Sequence, residues 1–89
     1  MIPSHQRDNH ERTDFLIFEL QALLVAIDEL RSRPGKETDD AADALQRMAI
    51  AKSKELQRAH LIEWAGLGGD SMHLLPEEIA LAMGQGGAA

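Results

Sequence analysis

The sequence predicts an all-α protein, in which two long helices form an antiparallel hairpin and a short C-terminal helix follows. Two stretches with apolar residues at helical spacing are separated by Pro34 and Gly35. No long stretch alternates apolar and polar residues as a half-buried strand would. With 89 residues, the chain has room for one domain.

The first helix is predicted over residues 13–33. Its start should fall between Asn9 and Asp14, because Asp8 with Glu11 has the pattern of a capping box and Thr13 is an alternative N-cap. Pro34 disfavours helical geometry in the residue before it, and Gly35 supplies a turn, so the helix should end there. The polar residues 1–12 are expected to form a flexible N-terminal arm.

The second helix is predicted over residues 39–65, and the third over residues 76–83. Thr38 is a good N-cap for the second helix, and the aspartates that follow it suit the positive end of the helix dipole. A cluster of glycines ends this helix. Pro76 followed by two glutamates is typical of a helix start. Residues 84–89, which are rich in glycine and alanine, are expected to form a disordered tail.

The first helix carries more apolar area than one neighbouring helix can cover. Residues at spacings of four and three form an a/d seam that should face the second helix: Leu16, Leu20, Leu23, Ile27 and Leu30. Five large apolar side chains lie outside this seam, at Phe15, Ile17, Phe18, Leu24 and Val25, whereas the facing side of the second helix is rich in alanine. We therefore predict that two hairpins associate as a homodimeric four-helix bundle, with Phe15, Phe18 and Val25 in the subunit interface.

Two alternatives to the homodimer are compatible with the same pattern. In the first, the chain is a monomer whose third helix and Trp64 cover the extra apolar face. In the second, another protein covers it. Trp64, Ile79 and Met83 are also the residues most suited to contact a further protein, because tryptophan is enriched among interface anchors and the third helix has an apolar side.

Composition restricts the function classes. The chain has no cysteine, which excludes disulfides and thiolate metal sites, and no sequence typical of a catalytic triad is visible. Nine basic and 15 acidic residues give a net charge of −6, which disfavours general nucleic-acid binding. The N-terminus lacks the pattern of a signal peptide, and no apolar run is long enough for a membrane span. We expect a cytoplasmic, non-enzymatic regulatory or adaptor subunit without a cofactor.

A metal-binding bundle is the first alternative function. His60 and Glu63 form an H-x-x-E pair on one helical face, and Glu19 and Glu55 could add carboxylates. Bundle di-iron sites combine a lone glutamate with an E-x-x-H unit, so the order here is inverted.

A transcription-related nucleic-acid binder is the second alternative. The basic residues of the second helix form one cluster: Arg47, Lys52, Lys54 and Arg58. In addition, the segment LLPEEIALAMG, residues 74–84, resembles the first helix of a helix-turn-helix DNA-binding unit. That resemblance implies a recognition helix after it, but the chain continues with QGGAA and has no such helix.

Overall fold

A computed structural model describes residues 1–85 and confirms the all-α fold. It contains α1 (Ser4–Arg31), α2 (Lys36–Gly66) and α3 (Pro76–Ala82), and no strand occurs within this range. The two long helices form an antiparallel hairpin, and α3 packs mainly against α2 and less against α1. The tail expected over residues 84–89 lies, from residue 86 onward, outside the described residues.

The hairpin turn follows the Pro-Gly prediction. Gly35 has a φ of 136°, a backbone conformation that favours glycine because it has no Cβ. The second helix begins at Lys36, so Thr38 lies inside its first turn and not at the N-cap. The Thr38 hydroxyl instead donates a hydrogen bond to the Gly35 carbonyl at 2.9 Å, which ties the turn to the helix.

The first helix begins at Ser4, where the sequence suggested a flexible arm, and this corrects the expected start at Thr13. The helical seam continues into this segment through polar residues. Gln6 donates a hydrogen bond to the Gly66 carbonyl at 3.0 Å, and the Thr13 hydroxyl donates to the Asn9 carbonyl at 3.1 Å. Gln6, Asn9 and Thr13 keep the spacing of three and four residues that leads to Leu16.

The contact between α1 and α2 is made largely of alanine on the α2 side. Within residues 1–85 the buried apolar residues are one leucine and five alanines, of which the last belongs to α3: Leu16, Ala42, Ala49, Ala59, Ala65 and Ala82. Small side chains let the helices approach closely but bury little area. The other seam residues of α1 are therefore only half-buried: Leu20, Leu23, Ile27 and Leu30.

The third helix begins at Pro76, as predicted, and is held on the hairpin by a charged contact. Arg58 of α2 donates a hydrogen bond from Nε to Glu78 at 3.0 Å and another from its guanidinium to the His73 carbonyl at 2.9 Å. The guanidinium, with help from the Leu75 N–H, lowers the pKa of the Glu78 carboxyl below its usual value. A Cβ at Gly66 would lie 2.7 Å from the Ala82 carbonyl oxygen, so this helix contact requires glycine.

The resulting shape is elongated and leaves much surface open. The radius of gyration is 16.7 Å, whereas a compact chain of this length would have one of about 12 Å. The accessible surface is 6450 Å², and a typical folded monomer of this mass would expose about 5,150 Å². The excess of roughly 1,300 Å² is more than the 800 Å² or so that each partner buries in a standard protein interface.

Candidate interaction surface on the first helix

One side of α1 carries an exposed apolar stripe, which we call the Phe stripe: Phe15, Phe18, Ala22 and Val25. The exposed fractions of Phe15, Phe18 and Val25 are 60%, 69% and 62%. The members are spaced by three, four and three residues, which is the spacing of a second a/d seam. A seam that faces no helix of its own chain is a surface suited to a helix from another molecule.

The Phe stripe borders an open groove between α1 and α2. The groove has a volume of about 470 Å³, and its lining residues are Phe15, Phe18, Glu19, Ala22, Leu23, Met48 and Lys52. Met48 of α2 is 55% exposed and lies on the rim of this groove. The neighbouring Ala49 is only 5% exposed, so it, and not Met48, belongs to the buried side of α2.

An ion pair crosses the groove and links the two helices. Lys52 Nζ lies 3.3 Å from Glu19 and 3.8 Å from Glu55, and its side chain is 24% exposed. Partial burial strengthens such a pair relative to a fully exposed one. Glu19, the one acid within the apolar stretch of α1, is therefore neutralised by the neighbouring helix.

A second apolar surface lies on the opposite side of the hairpin. Leu24 and Ile50 are 53% and 50% exposed and line a shallow groove with Leu20 and Ile27. Periodicity alone does not separate this side from the Phe stripe, because both lie beside the same seam. The structure separates the two sides because Leu16 and Ala49 are buried between the helices, and the exposed residues lie on either side of them.

The other residues predicted to contact a partner are accessible to different degrees. Trp64 is 53% exposed and lies against Gly69, where a Cβ would collide with the indole ring. Met83 is 44% exposed, and Ile79 is half-buried. These residues lie at the end of the hairpin that carries α3, away from Phe18 and Val25.

The four residues of the metal alternative do not converge. Glu19 and Glu55 share the ammonium group of Lys52, and Glu63 pairs with His10 of α1. Within residues 1–85, no group of three or more histidine, aspartate or glutamate side chains is arranged to hold a metal ion. The H-x-x-E spacing of His60 and Glu63 therefore does not produce a ligand set with the other two carboxylates.

The basic cluster on α2 is partly neutralised by acids of other helices. Lys52 pairs with Glu19, and Arg58 pairs with Glu78 of α3. The segment that resembles a helix-turn-helix unit forms α3, and Gly84 follows it with a φ of 74°. Neither feature adds to the case for a nucleic-acid surface.

Among residues 1–85, no helix is both long enough and apolar enough to cross a lipid bilayer. No known protein family, curated protein or solved structure matches this chain.

A histidine–glutamate pair joins α1 and α2 at the end of the hairpin that lies away from the turn. His10 Nδ1 and Glu63 Oε2 are 2.8 Å apart, and the pair borders an open pocket with Ile2 and Leu67. The hydrogen bond to the Glu63 carboxylate, together with its charge, raises the pKa of the His10 imidazole above the ordinary value of 6.5. The pair therefore favours the folded hairpin most when the imidazole is protonated.

Replacing Glu63 with glutamine should lower the pKa of His10. The stabilising effect of the pair is complete below pH 6.5 and is lost as the pH rises through the higher pKa of the folded state. A titration of the imidazole protons by NMR would measure this, with Glu55→Gln as the matched control because Glu55 pairs with Lys52. An unchanged His10 titration in Glu63→Gln would mean that the pair does not form in solution.

Proposed function

We propose that this chain is a non-enzymatic protein-interaction module that works as a homodimeric regulatory or adaptor subunit. The observation that carries the proposal is the exposure of the Phe stripe, whose three large side chains are each at least 60% exposed. Exposed apolar patches that are contiguous and larger than usual mark interaction sites in folded proteins. The chemistry of the surface is that of a helix-packing face and not that of a substrate site.

Energetics favour covering this surface. Full burial of a large apolar side chain is worth about 1.5–3 kcal/mol, and small domains are stable by only 5–15 kcal/mol or so. Three such side chains left in water on one helix would therefore forgo a sizeable part of that total. An interface that buries them is the simplest way to recover this free energy.

A second copy of the chain is the occupant that fits best. The Phe stripe repeats with the spacing of a helix-packing seam, and an identical stripe from another copy is self-complementary about a two-fold axis. Two hairpins joined in this way form a four-helix bundle. Trp64, Ile79 and Met83 lie outside the stripe and would remain available to a different protein.

Sedimentation of the purified chain over a range of concentrations tests the proposal. We expect a species of twice the 9.8 kDa chain mass at micromolar concentration, with dissociation on dilution. A particle of 9.8 kDa at every concentration would contradict the homodimer. In that case the monomer alternative, or a different protein on the Phe stripe, would have to be considered instead.

A further inference from the structure

The apolar surface opposite the Phe stripe has the pattern of a helix-binding groove. We call this surface the Ile50 face, and its members are Ile17, Leu20, Leu24, Ile27 and Ile50. Its four α1 residues are spaced by three, four and three, which is the spacing of a helix-packing seam. Leu24 of α1 and Ile50 of α2 are 53% and 50% exposed and line one groove from different helices. A groove between two antiparallel helices suits a third helix that lies along it.

The Ile50 face would remain open in a homodimer that pairs through the Phe stripe. The two surfaces lie on opposite sides of the hairpin, so a copy seated on one leaves the other in contact with water. The chain exposes roughly 1,300 Å² more than a typical monomer of its mass, and a standard interface covers about 800 Å² of each partner. Roughly 500 Å² of the excess would therefore stay exposed after dimerisation.

The α2 edge of the Ile50 face is positively charged. Arg47 comes three residues before Ile50 and Lys54 four residues after it, so all three side chains lie on the same side of α2. Both cationic side chains are exposed, and within residues 1–85 neither forms an ion pair. The sequence has no acidic residue from position 44 to position 54, so no carboxylate of α2 lies between them.

The acids of α2 that flank this stretch already have partners. Asp43 accepts a hydrogen bond from Arg31 at 3.1 Å. Glu55 lies 3.8 Å from Lys52, whose ammonium group is on the side of the hairpin that carries the Phe stripe. The two cations beside the Ile50 face are therefore available to an acidic partner, although the chain as a whole has a net charge of −6.

We propose that the Ile50 face binds an acidic amphipathic helix of a different protein. The apolar side of that helix packs along the groove, and its carboxylates lie beside Arg47 and Lys54. Asp28, four residues after Leu24, is exposed at the turn end of the face, so the acids of the bound helix lie opposite the two cations and not toward the turn. A second copy is the poorer occupant, because it brings the same two cations and its groove lining contains no carboxylate.

A selection from displayed peptides tests the chemistry of the occupant. The library contains helical peptides about four turns long, with leucine at seam positions and glutamate, glutamine or lysine at the exposed positions beside the seam. Selection on the parent chain should enrich glutamate over lysine at least about three-fold at those exposed positions. Recovered peptides without this bias, or no recovered peptide at all, would contradict the proposal.

Two variants separate the apolar and the charged contributions to peptide binding. Leu24→Glu places a charge in the groove and should weaken binding of the selected peptides at least about ten-fold. Arg47→Gln combined with Lys54→Gln keeps the groove and should weaken binding of the acidic peptides roughly three- to ten-fold, with little effect on their glutamine counterparts. All three side chains are exposed, so circular dichroism should show the helix content of the parent in both variants.

Phe18→Glu is the matched control, because it introduces the same charge on the other side of α1. It should bind the selected peptides as the parent does, whether or not the chain dimerises, so the proposal does not depend on the homodimer. Loss of peptide binding in Phe18→Glu and not in Leu24→Glu would place the peptides on the Phe stripe and overturn the proposal.

Sedimentation of the same proteins distinguishes the remaining outcomes. A species of four copies that Leu24→Glu reduces to two would show that a second copy covers the Ile50 face, which would also overturn the proposal. A monomeric parent whose peptide binding is lost in Leu24→Glu would refute the homodimer and support the acidic helix as the occupant of this face.

Discussion

Phe18→Glu is expected to abolish dimerisation and leave the helical hairpin intact. Phe18 is 69% exposed in a single copy, so its replacement removes few contacts within the chain. In a symmetric dimer the change acts twice, and losing the burial of two phenylalanines costs about 3–6 kcal/mol. The dissociation constant should rise by roughly two to four orders of magnitude. Sedimentation gives the association state, and circular dichroism gives the helix content.

Leu24→Glu is the matched control for this prediction. Leu24 lies on the same helix, is 53% exposed, and belongs to the opposite face of the hairpin. This variant introduces the same charge on α1 but should leave association unchanged. If Leu24→Glu dissociates the dimer and Phe18→Glu does not, the interface is on the other face and the assignment of the Phe stripe is wrong.

Leu16→Ala is expected to cause the largest loss of stability of any single truncation in the hairpin. Leu16 is 2% exposed and is the one large side chain among the buried residues of the described chain, the others being alanines and Thr13. Replacing a buried leucine with alanine costs about 2–5 kcal/mol, because apolar contact is lost and a cavity remains. The side chains of the α2 alanines are too short to fill that cavity. In a domain this small, the melting temperature should fall by at least about 8 °C.

Urea unfolding monitored by circular dichroism would measure this loss, with Leu24→Ala as the matched control. Leu24 undergoes the same change in side chain at a site that is half open to solvent, so its effect should be much smaller. Both variants should be compared with the parent at one protein concentration, since dimerisation adds to apparent stability. Similar destabilisation by the two substitutions would mean that the seam is not centred on Leu16.

The hairpin was predictable because its signals are local. Pro34 and Gly35 interrupt two helical patterns, and the structure places the turn there. Pro76 marks the start of α3 in both the prediction and the structure. These positions depend on the backbone preferences of a few neighbouring residues, and the tertiary structure agrees with those preferences.

The N-terminal part of α1 was missed because its partners are distant in sequence. Gln6 bonds to the Gly66 carbonyl, and His10 pairs with Glu63, both on α2. Gln6, Asn9 and Thr13 continue the seam spacing of three and four residues back from Leu16, but these residues are polar. If polar residues are allowed at seam positions, the same spacing predicts a longer first helix.

The amino-acid sequence by itself determined the helical class, the hairpin turn and the surplus of apolar side chains on α1, since all three follow from local preference and periodicity. Only the tertiary structure decided which of those side chains remain exposed, because α2 packs along the side of α1 that carries Leu16, and Phe15 and Phe18 lie on another side of the helix and stay 60% and 69% exposed. It also decided on which face α3 lies. That choice depends on the contact of Arg58 with Glu78 and of Gly66 with Ala82, pairs of residues whose proximity no local pattern encodes.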